Sequence, residues 1–384
     1  MLYLYIATFL TIVGFGMVFP LLPFYGERFG LDAVGLGLLA AAFSLAQFLV
    51  APLLGRLSDR FGRKPILAWA LGGTALSFFM FGLANSVPLL FISRIIHGIA
   101  SAGVFPIAAA YIGDVTQKET RVKYMSKLNA TFALGFIIGP VVAGVLAPLH
   151  PALPFLAAGA VSFFTMVFLF VFLPESLTQK SESIVLKEGL VNIRAMGSAF
   201  LGDFGLFFLF LFAWAFAISN LQVAFPLFTQ EKFSFTESHV GFVFGGIGVI
   251  AATVQWFFLD GVVRVLRERS TILWAVVLMG VGQFAIGFSP SVALLLLFTG
   301  LSTIGSAALR PTINAVLSKE THEGQGTTMG LAFSFESLGR TIGPIVGGVL
   351  ISVWSAQSQF ALTGLLMFFG AILFLFHLRR HEEE

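Results

Sequence analysis

Ten residues, Gly55-Arg56-Leu57-Ser58-Asp59-Arg60-Phe61-Gly62-Arg63-Lys64, carry five charges, and the chain on either side carries none: Ala33 to Gly55 upstream, Pro65 to Ser93 downstream. Each uncharged run exceeds the roughly 20 residues that cross a hydrocarbon core about 30 Å thick at about 1.5 Å per residue. A short basic turn between two such runs joins two membrane-spanning helices on the face where Lys and Arg collect. Composition agrees, since 57% of the chain is apolar and only 11% is charged, against about 25% charged in a soluble domain. The 46 phenylalanines among 384 residues suit lipid contact and aromatic-lined cavities.

Apolar runs between polar breaks give twelve helices, near 2–25, 33–55, 65–86, 88–113, 125–147, 152–173, 202–228, 238–260, 270–289, 291–318, 327–352 and 358–378. Each must be helical, because an unsatisfied backbone polar group is too costly in lipid and the alternation of a barrel is absent. With the N-terminus inside, the inner loops and the C-terminal tail hold 17 of the 22 Lys and Arg, and the outer segments hold only Arg28 and Lys232. The remaining three, Arg94, Arg310 and Arg340, fall within helices. That bias predicts a multi-pass protein of the cell (inner, cytoplasmic) membrane with both termini cytoplasmic. The first run lacks a basic n-region and a cleavage site, so it is expected to be a retained span.

The longest polar connection follows helix 6 and divides the chain into an N-terminal six-helix bundle (1–175), a cytoplasmic linker (176–200) and a C-terminal six-helix bundle (201–384). The halves repeat. Gly55-x5-Phe61-Gly62-Arg63 returns 206 residues later as Gly261-x5-Arg267-Glu268-Arg269, and Gly135-x3-Gly139-Pro140-x3-Gly144 returns 204 residues later as Gly339-x3-Gly343-Pro344-x3-Gly348. Two matches at nearly one offset indicate duplicated bundles related by an axis along the membrane normal.

A duplicated six-plus-six chain with this basic loop between helices 2 and 3 resembles the major facilitator superfamily over essentially its full length. Helix 1 has Gly14-x-Gly16-x3-Pro20-x2-Pro23, helix 4 has Arg94-x2-His97-Gly98 with Asp114 at its inner end, and helix 6 ends in Leu173-Pro174-Glu175-Ser176-Leu177. These, with the helix 5 Gly-Pro signature, resemble the twelve-helix drug:proton antiporter branch, and Arg310-Pro311-x2-Asn314 is similar to bacterial quinolone-type multidrug exporters. The resemblance implies an all-α integral membrane protein of two pseudo-symmetric six-helix bundles. One departure is that helix 1 holds no carboxylate, and Gln222 and Ala307 stand where such exporters carry acids in helices 7 and 10.

The resemblance also implies a conformational latch of Gly55, Asp59, Arg60, Gly62, Arg63 and Asp114, with Asp59 near the positive end of helix 11 and Arg60 or Arg63 paired to Asp114. A solvated basic turn that only sets topology is the alternative. Gly135, Gly139, Pro140, Gly144, Gly339, Gly343, Pro344 and Gly348 either let helices approach closely or supply a gating bend. Glu336 is the acid farthest from a helix end, ten residues into helix 11 and about 15 Å deep. Arg340 follows at i+4, so the two form a permanent structural pair or a proton-coupling pair, with Arg94 and His97 as further coupling candidates. Arg94, Arg310 and Arg340 against Glu336 leave an excess of two positive charges, to which His97 adds a third near neutral pH. Arg94 and Arg310 bind kinked backbone carbonyls or favour an anionic substrate group. Phe15, Phe19, Phe105, Phe132, Phe136, Phe212, Phe216 and Phe335, with Gln222, Asn314 and Glu336, are the expected substrate wall, lipid contact and packing being the competing roles of the rings.

The predicted activity is export of amphiphilic organic molecules or drugs by alternating access, coupled to proton antiport. A flippase or facilitator for anionic amphiphiles or lysolipids is the alternative, and a passive membrane scaffold the remoter one. No Walker loop supplies ATP binding, so the proton gradient is the expected energy source and no cofactor is expected. Gly246-x-Gly248-x2-Ala251 lies inside a helix with no strand before it, and the histidines lack metal spacing. Absence of cysteine excludes disulfides and thiolate chemistry, and the basic pI reflects loop charge rather than nucleic-acid binding. No nucleophile and base stand together, so no enzyme activity is expected of this monomer, whose partners are the substrate, protons and the bilayer.

Overall fold

The computed structural model describes residues 1–177, 193–202, 204–320 and 325–383, and every regular element among them is helical. We number the long helices α1 (Leu2–Glu27), α2 (Ala33–Phe61), α3 (Arg63–Gly82), α4 (Val87–Val115), α5 (Lys118–Leu146), α6 (Leu153–Phe172), α7 (Gly205–Phe233), α8 (Glu237–Leu266), α9 (Glu268–Gly287), α10 (Val292–Glu320), α11 (Gln325–Val353) and α12 (Ala356–Glu383). A short helix, Ile193–Leu201, precedes α7. Among the described residues, eleven of the twelve are long and apolar enough to cross a membrane; α11 falls outside that set, and Glu336 and Arg340 interrupt its apolar run. The protein is an all-α, multi-pass membrane protein. The remainder of the expected linker, 178–192, lies outside the described residues, as do the side chains of Arg379 and Arg380.

Prolines set the irregularities. Pro20 places a 3₁₀ turn at Phe19–Leu21 within α1. Pro106 lacks the N–H that would bond Ala102, and α4 divides there into Val87–Ser101 and Val104–Val115. In α8 a π-helical turn occupies Val254–Phe258. It stands beside α10, where Pro311 frees the carbonyl of Ala307 four residues earlier; Gln255 Nε2 donates to that carbonyl at 3.3 Å. The kink of α10 is thereby satisfied from α8.

Residues group into two compact units: Met1–Leu31, Ala42–Val191 and Phe235–Gly245 in the first, Asp32–Ala41, Asn192–Ser234 and Gly246–Glu384 in the second. In the first, Leu4, Leu67, Leu71, Ile107, Ala108 and Leu128 form a continuous apolar core. In the second, Phe207, Phe210, Ile272, Met279, Leu309 and Phe374 do so. Close helix approach uses the repeated glycines. A Cβ on Gly139 would lie 2.6 Å from the Val13 carbonyl, where α5 meets α1, and a Cβ on Gly343 would lie 2.6 Å from the Phe216 carbonyl, where α11 meets α7. Gly135 and Gly339 meet the same neighbours one turn earlier. Gly144 packs on Ser238, and Gly348 on Ala33. The spacing of both copies is therefore a packing surface in each unit.

Candidate functional site

The basic stretch from Gly55 to Lys64 is not a ten-residue loop. Its charged residues continue α2 as far as Phe61, and a single residue, Gly62, makes the turn into α3 at φ 113°. Gly55 sits inside the helix with open space about it, so its expected role in the turn is corrected, although its carbonyl accepts from Ser58 Oγ. Arg63 is buried and bonds three side chains. Its Nε donates to Asp114 Oδ2 at 3.0 Å, and its Nη1 reaches Asp59 Oδ1 at 2.6 Å and Ser58 Oγ at 2.7 Å. Arg60 lies over the Phe61 ring instead.

The segment after α6 closes this joint. Glu175 accepts the backbone N–H of Arg63 at 2.9 Å and of Lys64 at 3.1 Å, capping the N-terminus of α3 from 112 residues away. Ser176 Oγ donates to Asp114 Oδ2 at 2.9 Å. A Cβ at position 62 would strike the Glu175 carboxylate, so Gly62 is required both by its backbone angle and by this cap.

In the second unit the joint recurs with a different register from that of the sequence match. Arg267, at φ 62° and ψ 163°, stands where Gly62 stands, so the true offset is 205 residues and not 206. At that offset Glu268 takes the place of Arg63, Lys319 that of Asp114, and Trp274 that of Trp69. Lys319 and Glu268 are ion-paired, and Arg269 pairs with Glu320 at 3.5 Å. The same bridge is thus built twice with its signs exchanged.

Two clusters lie deeper. In α4 the Arg94 guanidinium is buried over the face of Phe43, 4.6 Å from its centroid, and donates through Nη1 to His97 Nδ1 at 3.2 Å. Guanidinium cannot accept, so in this arrangement Nδ1 is the acceptor. In this arrangement His97 accepts from Arg94 instead of adding the third excess positive charge expected of it. Phe78, Phe43 and Phe15 surround that ring at 4.5, 4.8 and 5.6 Å. Among the described residues Arg94 has no carboxylate partner, and Arg94 Nε and His97 Nε2 are buried without hydrogen bonds. The Phe43 face and His97 stand where kinked backbone carbonyls were one of the two expected partners.

The second cluster joins α7, α10 and α11. Glu336, 2% exposed, accepts from Arg310 Nε at 2.7 Å and from Arg340 Nη2 at 3.4 Å. Arg310 is not bound to kinked carbonyls: the carbonyl freed by Pro311 goes to Gln255, and the guanidinium takes the shorter bond to Glu336. The i+4 pair legible in sequence is the longer one. Both guanidiniums, each about 40% exposed, also lie over Trp214, 5.4 and 5.8 Å from its centroid. Trp214 is fixed by its indole N–H on Ser306 Oγ at 2.9 Å. Sequence reasoning missed Trp214; its signal was a tryptophan ten residues into a helix, far from the interfacial belt.

The expected aromatic wall divides. Phe15 contacts Phe19, Phe136 and His97, and Phe105 meets Phe132 edge-on at 4.8 Å. Phe212 adjoins Phe216 at 6.1 Å. Phe335 stacks on Phe208 within the second core, and Phe216 is likewise buried, so both pack helices together. Gln222 is half-buried on α7, and Asn314 Oδ1 is buried without a partner one turn after Arg310.

The Major Facilitator Superfamily model matches residues 4–265 and 207–384. Multidrug resistance protein 1 of Bacillus subtilis is 31% identical over 347 residues, 90% of this chain and 88% of that protein. The chain belongs to the major facilitator superfamily. It is a membrane transporter of that superfamily, similar to its multidrug resistance members. Quinolone resistance protein NorA of Staphylococcus aureus is 28% identical over 91% of this chain and 89% of its own. Among solved structures, the human organic anion transporter MFSD10 superposes with a TM-score of 0.73 at 25% identity over 97% of this chain and 98% of that chain. The nucleoside transporter NupG superposes at 0.80 and 15% identity over 97% of this chain and 98% of that chain, a likeness of fold.

Proposed function

We propose that this superfamily member exports amphiphilic organic molecules, drugs among them, by alternating access coupled to proton antiport, with both termini cytoplasmic. The relatives named for multidrug and quinolone resistance support the cargo. The observation that carries the coupling is Glu336, buried behind two half-exposed arginines. Two guanidiniums compensate one carboxylate. A cationic or hydrogen-bond-donating substrate group displaces Arg310 and takes its place on the Glu336 carboxylate. Proton uptake neutralises that same acid and releases the group, so proton and substrate compete for Glu336 and bias the same two-state element in opposite directions. Trp214 holds the arginines in place and offers its face to aromatic cargo.

The test is Glu336→Gln in proteoliposomes carrying a trapped pH dye. Dye-reported proton movement opposite to substrate is expected in the native protein and lost in the variant, with substrate binding retained. Undiminished exchange driven by a pH gradient in the variant would remove Glu336 from coupling.

A second reading, a facilitator or flippase for anionic amphiphiles, is favoured by the excess of positive charge in the Glu336 cluster and by Arg94, and by the likeness to a human organic anion transporter. Under it, anionic substrate moves without counter-flow of protons.

A further inference from the structure

The second unit contains a cavity of about 790 Å³ between α8, α9 and α10 that neither arginine cluster borders. It runs from Val249 to Leu266 along α8, about 25 Å at 1.5 Å per residue, against about 15 Å for one leaflet of a bilayer. Of the residues that line it, only Thr253, Thr271 and Trp274 carry a polar side-chain atom. The π-helical turn at Val254–Phe258 stands on its wall, and α8 is the least buried of the eleven apolar spans. A groove so apolar and open takes hydrocarbon, not water.

Its charged end distinguishes one hydrocarbon from another. Leu266 lines the groove, and Arg267 follows it. Thr271, also in the lining, donates through Oγ1 to the Arg267 carbonyl at 2.8 Å, which fixes residue 267 at the groove's end. Arg267 and Arg264 are exposed, and among the described residues neither has an ion-pair partner, in contrast to Arg269 and Lys319 beside them. Trp274, also in the lining, lies six residues into α9, about 9 Å along the helix from its start.

From this charge complementarity we infer that the groove is a lipid site: it holds an acyl chain of an anionic phospholipid whose phosphate rests on Arg264 and Arg267. The site requires membrane placement alone and is independent of proton coupling.

The experiment uses the full chain in vesicles of phosphatidylcholine or phosphatidylglycerol brominated on the acyl chain. Two variants each retain one tryptophan, Trp274 or its counterpart Trp69, which is 79% exposed at the equivalent position of the first unit. Brominated phosphatidylglycerol should quench Trp274 at a several-fold lower mole fraction than phosphatidylcholine, while Trp69 shows no preference. R264Q and R267Q should each weaken that preference and together abolish it, since each basic residue near an anionic surface contributes a few-fold. Native mass spectrometry of the unaltered protein should show phosphatidylglycerol retained over phosphatidylcholine. Equal quenching of Trp274 by both lipids, or a preference that survives R264Q/R267Q, would overturn the proposal. Protection of Trp274 by a lipophilic organic cation, with no lipid preference, would make the groove a substrate path and would overturn it as well.

Discussion

Gly62→Ala offers the sharpest test of how the joint between α2 and α3 is built. Alanine at φ 113° and ψ 156° occupies a region essentially confined to glycine, at a cost of about 1–3 kcal/mol. Its methyl would also strike the Glu175 carboxylate and drive it from the amides of Arg63 and Lys64. Those bonds are charge-assisted but solvent-facing, so their loss together with the helix-end interaction adds about 1–2 kcal/mol. The total, about 2–5 kcal/mol, corresponds to a fall in Tm of roughly 5–15 °C for a unit of this size. Tryptophan fluorescence during thermal unfolding of the detergent-purified protein measures it. Gly55→Ala is the control: it lies mid-helix in open space and should be neutral or slightly stabilising, by at most about 1 kcal/mol. Equal losses at positions 55 and 62 would refute this account of the joint.

Arg267→Gly should raise Tm by a few degrees, since it relieves the strained counterpart of Gly62 at a smaller cost in unfolded-chain entropy; a fall in Tm would contradict the assigned backbone. Glu268→Lys alone should lower stability by no more than about 1 kcal/mol because the pair is exposed, and Lys319→Glu in the same chain should restore it, as a double-mutant cycle in thermal unfolding would show. Gln255→Leu leaves the Ala307 carbonyl unsatisfied beside Pro311, which should cost about 1–3 kcal/mol and loosen Arg310 on Glu336, read as slowed substrate exchange with α7 unaffected.

The helices were legible because lipid permits few alternatives: uncharged runs of 20 residues and loop arginines suffice to place them. Glu336 and Arg340 were legible because a helix brings i and i+4 together. The Arg310–Glu336 pair was not legible because its partners lie 26 residues apart on different helices, and no local spacing carries that distance. Glu175 was visible only as part of a motif; its chemistry, a cap on a helix begun 112 residues earlier, exists only after folding. The repeat was matched one residue out of register because similarity of letters favoured Gly62 with Glu268, whereas backbone geometry pairs Gly62 with Arg267. The glycines of α5 and α11 left packing and bending open, and only their carbonyl neighbours reveal the contacts they make.

The exchanged polarity of the two bridges bears on how a duplicated chain avoids assembling wrongly. Had both copies kept one arrangement, the start of α3 would attract the end of α10 as readily as that of α4. With Arg63 and Lys319 alike in sign, and Glu268 and Asp114 alike in sign, such a mismatch meets repulsion at both ends. Each hairpin is left one electrostatically acceptable mate, its own, during insertion into the bilayer.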